Sequence, residues 1–156
     1  MKQSLLFACL LAPFLSLQAQ IKLSSSTFGA IEARNIGPAV MSGRITAIEG
    51  VERSPKILYV GAAGGGVWKS TTAGMTFESV FDKYPQSIGA IAIDQAHPDT
   101  VWVGTGESNM RNSVSVGLGI YRSTDGGRNW SPKGLEKTEH ISRIIIHPTD
   151  PNTIYV

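Results

Sequence analysis

Ser123-Thr124-Asp125-Gly126-Gly127-Arg128-Asn129-Trp130 is a run around which the rest of the chain falls into register. Its residue types answer the needs of a strand-to-strand corner. The Asp125 carboxylate can accept hydrogen bonds from main-chain N–H groups of its own turn, and the Ser123 hydroxyl can join the same network. Gly126 and Gly127 permit backbone angles that a side chain would oppose. Trp130 is expected to open the next strand.

Outward from this corner the chain repeats itself. Residues 43–48, 56–61, 66–70 and 76–80 are four short strand-like runs separated by Gly, Pro, Ser and Thr. The four recur at 88–93, 100–104, 119–123 and 129–131, and a third copy occupies 141–146 and 153–156. Val60 and Val103 stand 43 residues apart, and Val103 and Val156 stand 53 apart, with the extra ten at 107–116. A four-strand unit recurring every ~40–50 residues is the signature of propeller blades. The predicted class is all-β: a β-propeller fragment with one blade at 43–82, a second at 87–136 and the start of a third at 140–156. Residues 31–36 are expected to supply the outer strand that closes the ring of a longer protein.

The register exposes a second, degraded corner at 70–77, with Thr72 in place of the carboxylate and Phe77 in place of the tryptophan. First strands rich in Ile, Ala and Gly are expected to be covered on both faces near a crowded axis. Trp68, Phe77, Tyr121 and Trp130 are expected to wedge between blades. His97 and His147 each precede a proline at the same place in the repeat, which makes them turn-formers rather than metal ligands. No metal site and no cofactor are expected.

With 42% hydrophobic and 17% charged residues and a formal charge of +2, the composition is that of an ordinary globular chain. The cations are too few and too scattered for a nucleic-acid surface or a polybasic membrane contact. Residues 1–19, basic at Lys2 and then apolar to Leu17, have the make-up of a secretory signal peptide with cleavage after Ala19. Its apolar run is too short for a stable membrane span, and 20–30 would follow as a linker. The expected location is secreted, periplasmic or cell-envelope, with no membrane span after cleavage. Cleavage would also remove Cys9, the sole cysteine, and with it any disulfide or thiolate chemistry.

Ser-x-Asp-x-Gly-x-x-Trp resembles the Asp box, or BNR repeat, of sialidase-like propellers, which implies a structural role for Ser123, Asp125, Gly127 and Trp130. The runs Arg34-Asn35-Ile36-Gly37-Pro38, Ser42-Gly43-Arg44-Ile45, Val103-Gly104-Thr105-Gly106-Glu107 and Arg111-Asn112-Ser113-Val114-Ser115 look, in order, like secreted bacterial proteins with sortilin-like, BNR-repeat propellers. Such proteins are often labelled glycosyl hydrolases. In propellers the loops between second and third strands gather at the channel mouth, and the 107–116 insertion falls there. The resemblance therefore implies a peptide or glycan ligand at the mouth, with Arg44, Glu107, Asn109 and Arg111 as contacts.

An alternative is a glycoside hydrolase in which Glu107 is one of the two carboxylates such chemistry needs. Among sialidases the first-strand Arg follows an aromatic and precedes Ile-Pro, whereas here Gly43-Arg44-Ile45-Thr46 has neither flank. The run 59–68 resembles two-domain xyloglucanases, but the carboxylate those enzymes place between second and third strands falls on Ala63. A third reading is a structural envelope scaffold. The remaining blades of a full ring would be partners in every case.

Overall fold

The structure, a computed structural model, describes residues 44–156. The expected leader at 1–19, linker at 20–30 and ring-closing strand at 31–36 lie outside the described residues. Strands β1 (Ile45–Val51), β2 (Ser54–Ala62), β3 (Gly66–Ser70) and β4 (Glu78–Ser79) form one sheet. A second contains β5 (Ile88–Ile93), β6 (Val101–Thr105), β7 (Ile120–Ser123) and β8 (Ser131–Pro132). A third pairs β9 (Ile145–Ile146) with β10 (Ile154–Tyr155). Both four-stranded sheets are antiparallel meanders in sequence order. The described residues form an all-β propeller piece of two blades and the start of a third.

The elements differ from expectation at their edges. β1 runs on to Val51, where it pairs with Ser54 across a tight turn. The fourth strands shrink to two residues each, and Trp130 stands just before β8 rather than inside it. The ladder of the third sheet covers Ile145 and Ile146 alone, so 141–144 packs as extended chain without a ladder partner among the described residues.

Glycine sets how closely the blades approach near the axis. A Cβ on Gly61 of β2 would stand 2.6 Å from Ile88 Cγ2 and 3.1 Å from Ile91 Cδ1. The corresponding atom on Gly104 of β6 would stand 2.3 Å from Ile141 Cγ2 and 3.3 Å from Ile144 Cδ1. Blades 2 and 3 thus each press two isoleucines, from β5 and from the segment leading into β9, into the space left by a missing side chain on the blade before. β5 is buried at all six positions because β1 and β2 cover it on one side and the 141–146 segment on the other. β1 is not covered in this way: Ile45 is 50% and Ile48 65% exposed, and among the described residues no strand packs on it opposite β5.

Farther out, an aromatic knot joins blades 1 and 2. The fully buried Phe81 lies with its ring centroid 4.8 Å from Tyr84, 5.4 Å from Tyr121 and 5.1 Å from Trp130, the last two edge-to-face, as ring quadrupoles favour. Tyr121 and Trp130 take the expected wedging places. Phe77 does not: it is 44% exposed, and Phe81, from the connection into blade 2, fills the gap instead. Trp68 is half-buried and donates its indole N–H to Gly65 O within its own hairpin.

Candidate functional site

The corner at 123–130 is closed from within and clamped from outside. The Ser123 hydroxyl donates to Asp125 Oδ1 (2.8 Å) and accepts from Gly127 N (2.8 Å). Asp125 accepts from Asn129 N (2.9 Å) and Asn129 Nδ2 (2.7 Å), and these bonds to the ionised form hold its pKa down at about 2. Gly126 (φ 71) and Gly127 (φ 91) occupy the left-handed region the turn requires.

The clamp comes from blade 1, whose Tyr59 hydroxyl (3.0 Å) and Lys69 ammonium (2.8 Å) both donate to Gly126 O. In return the Trp130 indole donates to Val80 O at 2.8 Å. Burial, followed by the charges of Asp99, Asp125 and Glu78, pushes the Tyr59 phenol up to about 12.

The degraded corner keeps the same geometry by other means. Ser70 Oγ accepts from Gly74 N (2.9 Å), and the Thr72 hydroxyl accepts from Thr76 N (2.9 Å), the role Asp125 plays for Asn129. Ala73 bears a φ of 57° where the intact corner has glycine.

At the mouth side the structure brings Arg44 and Glu107 together across 63 residues of sequence. Arg44 Nε reaches Oε1 at 3.0 Å, and Nη2 reaches both carboxylate oxygens at 2.5 Å. Glu107 is 2% exposed and Arg44 38%. Ser87 completes the seat: its hydroxyl donates to Ser115 O (2.9 Å) and accepts from Glu107 N (3.0 Å). The pair therefore links the entry of β1 to the loop after β6, from one blade to the next. Asn109 and Arg111 are not drawn in; both lie exposed on the 107–118 loop, where Met110 is fully exposed.

The far end of that loop borders an open groove of about 730 Å³, lined by Lys83, Tyr84, Pro85, Val116, Leu118 and Tyr121. Its size falls in the range of small-molecule sites. Val116 and Leu118 are more than half exposed. The sequence reading missed this groove, because Tyr84 and Pro85 sit in a connection outside the repeated strands. It also passed over His140, which holds in blade 3 the place of Arg44 in blade 1 and Ser87 in blade 2; the spacing of Ile45, Ile88 and Ile141 could have found it.

His97 and His147 sit away from the mouth, in the turns after first strands. His97 Nδ1 lies 3.0 Å from Asp94 Oδ2, and His147 Nδ1 accepts from Asp150 N at 3.1 Å. Among the described residues no group of three His, Cys, Asp or Glu side chains could hold a metal. No helix there is long and apolar enough to cross a membrane.

Stacked antiparallel four-stranded sheets, each a meander in sequence order, define a β-propeller fold. No family model matches the chain. It is 35% identical over 102 residues to xyloglucanase Xgh74A of Acetivibrio thermocellus, a match covering 51% of this chain and 12% of the relative. The chain thus spans about an eighth of the length of the xyloglucanases it resembles. Among solved structures, an ancestral GH74 enzyme superposes at a TM-score of 0.59 with 17% identity, covering 76% of this chain and 17% of that one, which establishes the fold. A GH74 enzyme of Niastella koreensis superposes at 0.47 with 21% identity, covering 58% and 14%.

Proposed function

We propose that this chain supplies opening blades of an exported glycoside-hydrolase-type propeller acting on xyloglucan or a similar β-glucan, and that its mouth-side groove holds part of the polysaccharide. The observation that carries this reading is the 107–118 loop. Its root is pinned by the Arg44–Glu107 pair, its arc presents Asn109 and Arg111 to solvent, and its end walls the groove beside Tyr84. The groove itself sets polar Lys83, Gln86 and Ser115 beside the Tyr84 ring, Val116 and Leu118, the mixture that a sugar chain with hydroxyl rims and apolar faces requires. Similarity to xyloglucanase Xgh74A over 102 residues supports the substrate class.

In this reading Glu107 holds the loop and does not transfer a proton. A general acid needs a free carboxyl within hydrogen-bond reach of the scissile oxygen, and both Glu107 oxygens are engaged by a guanidinium. With Ala63 in the position named above, the two acids of hydrolysis would come from outside residues 44–156.

The test is turnover and binding of xyloglucan oligosaccharides by the full-length protein, with Arg111→Ala, Asn109→Ala, Leu118→Ser and Glu107→Gln beside the wild type. The first three should raise KM several-fold with kcat nearly unchanged, and Glu107→Gln should keep kcat within tenfold. Loss of turnover in Glu107→Gln with binding and fold intact would make Glu107 the acid. Absence of any β-glucan binding, or binding of peptides alone, would end the glycan reading.

A further inference from the structure

Two buried donors in blade 2 have no acceptor. Trp102 is 7% exposed, and its indole N–H meets no hydrogen-bond partner among the described residues; neither does the buried Nε of Arg122. Buried N–H groups are paired in the great majority of native structures, so two such donors side by side point to a shared acceptor.

The repeat identifies what does. Trp102 and Arg122 are cross-strand partners in β6 and β7, as Tyr59 and Lys69 are in β2 and β3. The cation lies over the ring in both, 5.3 Å from the centroid in blade 2 and 5.4 Å in blade 1. In blade 1 the two donors converge on one acceptor, Gly126 O, at the strand-three-to-four corner of the next blade.

We propose that Trp102 and Arg122 form the blade-2 half of the same clamp, receiving the main-chain carbonyl of a glycine turn at the corner of the sheet that β9 and β10 begin. The apolar part of that contact is already made, since Ile141 and Ile144 pack with Trp102 and Ile120. What is absent among the described residues is the peripheral carbonyl. The length of the relatives, of which this chain spans about an eighth, leaves ample chain to provide it.

The experiment uses the full-length protein with 15N-labelled tryptophan, the Trp102 indole signal being assigned by its loss in Trp102→Phe. Hydrogen exchange of that indole proton should be slowed at least a hundredfold relative to free tryptophan, to the level of Trp130, whose two acceptors are in place. The unfolding midpoints of Trp102→Phe, Arg122→Met and the double variant should be non-additive, matching the cycle for Tyr59→Phe and Lys69→Met. Exchange of the Trp102 indole at the solvent rate would overturn the proposal. So would protection that disappears on dilution, since the acceptor would then belong to a second copy.

Discussion

Gly104→Ala puts the axial packing to a quantitative test. The new methyl would arrive 2.3 Å from Ile141 Cγ2 and 2.8 Å from Ile141 Cβ, where carbon atoms rest at ~3.5–4.0 Å. More than an ångström of overlap must be relieved. Ile141 is β-branched, with little rotamer freedom, and its own carbonyl lies against Gly89, where a Cβ would stand at 2.0 Å. Neither its side chain nor its main chain can withdraw without moving blade 3 away from blade 2. Overpacking of this kind costs about 1–3 kcal/mol, and the doubly blocked retreat places Gly104→Ala in the upper half of that range.

Gly61→Ala, at 2.6 Å from Ile88 Cγ2, should behave alike with a slightly smaller loss. Gly50→Ala is the control. It lies in β1, is exposed, and its nearest neighbour, Ile57 O, would be 3.9 Å away, so the replacement should be neutral or stabilise by about 0.5 kcal/mol through reduced chain entropy. Urea unfolding followed by tryptophan fluorescence reads all three, and a Gly104→Ala/Ile141→Ala double variant should be less destabilised than the sum of its singles by about 1 kcal/mol or more. If Gly104→Ala matched Gly50→Ala, the close approach of blades through a missing side chain would be refuted.

Tyr59→Phe removes one of the two donors to Gly126 O and should cost about 1 kcal/mol; it should also reduce the stability loss expected of wild type between pH 10 and about 12, to which the phenol of Tyr121, raised by burial, adds. That window follows from the raised phenol pKa: the unfolded phenol ionises first, so stability present below 10 is lost as pH climbs through the folded value. Asp125, held at about 2 against an ordinary 3.8, contributes stability above 3.8 that is lost as pH falls through about 2. Asp125→Asn should flatten the acid limb of a stability-against-pH curve between those values, and an unchanged limb would mean the carboxylate is not held by the turn. Arg44→Met should destabilise more than Glu107→Gln, by about 2 kcal/mol, because it strands a carboxylate at 2% exposure while the lost glutamate leaves a guanidinium already 38% exposed; chemical denaturation of the two variants compares them directly.

What the sequence disclosed was what the chain does locally. The corner at 123–130 is eight consecutive residues whose side chains bond one another and their own main chain, so the sequence carries its explanation. Short strand-like runs and glycine punctuation likewise act over a few residues, and the two meanders emerged from them and from their repetition. The long-range ties were not legible. Arg44 and Glu107 could both be singled out as candidates, but nothing in either neighbourhood says that they meet across 63 residues. Phe81 escaped because it sits in a connection with no counterpart in the repeat, and two of the three rings around it, Tyr121 and Trp130, come from other segments. Thr72 looked like a lost acceptor; the hydroxyl serves because the acceptor position needs a lone pair and not a charge.

The ties between blades fall in separate zones, and this bears on where ligand chemistry can reside. Glycine–isoleucine contacts fix the spacing near the axis, and the carbonyl clamp fixes it at the corner. The loop between second and third strands carries neither, so it can lengthen without disturbing either. Blade 2 bears that out: despite the ten additional residues at 107–116, its Ser123 Oγ accepts from Gly127 N at 2.8 Å, and blade 1, without them, shows the same bond from Gly74 N to Ser70 Oγ at 2.9 Å. An insertion that leaves the corner geometry intact is free to vary with the ligand. The Arg44–Glu107 pair anchors the loop's root to the neighbouring blade and Ser87 ties its two ends, at Glu107 N and Ser115 O, while the side chains of 108–114 stay exposed.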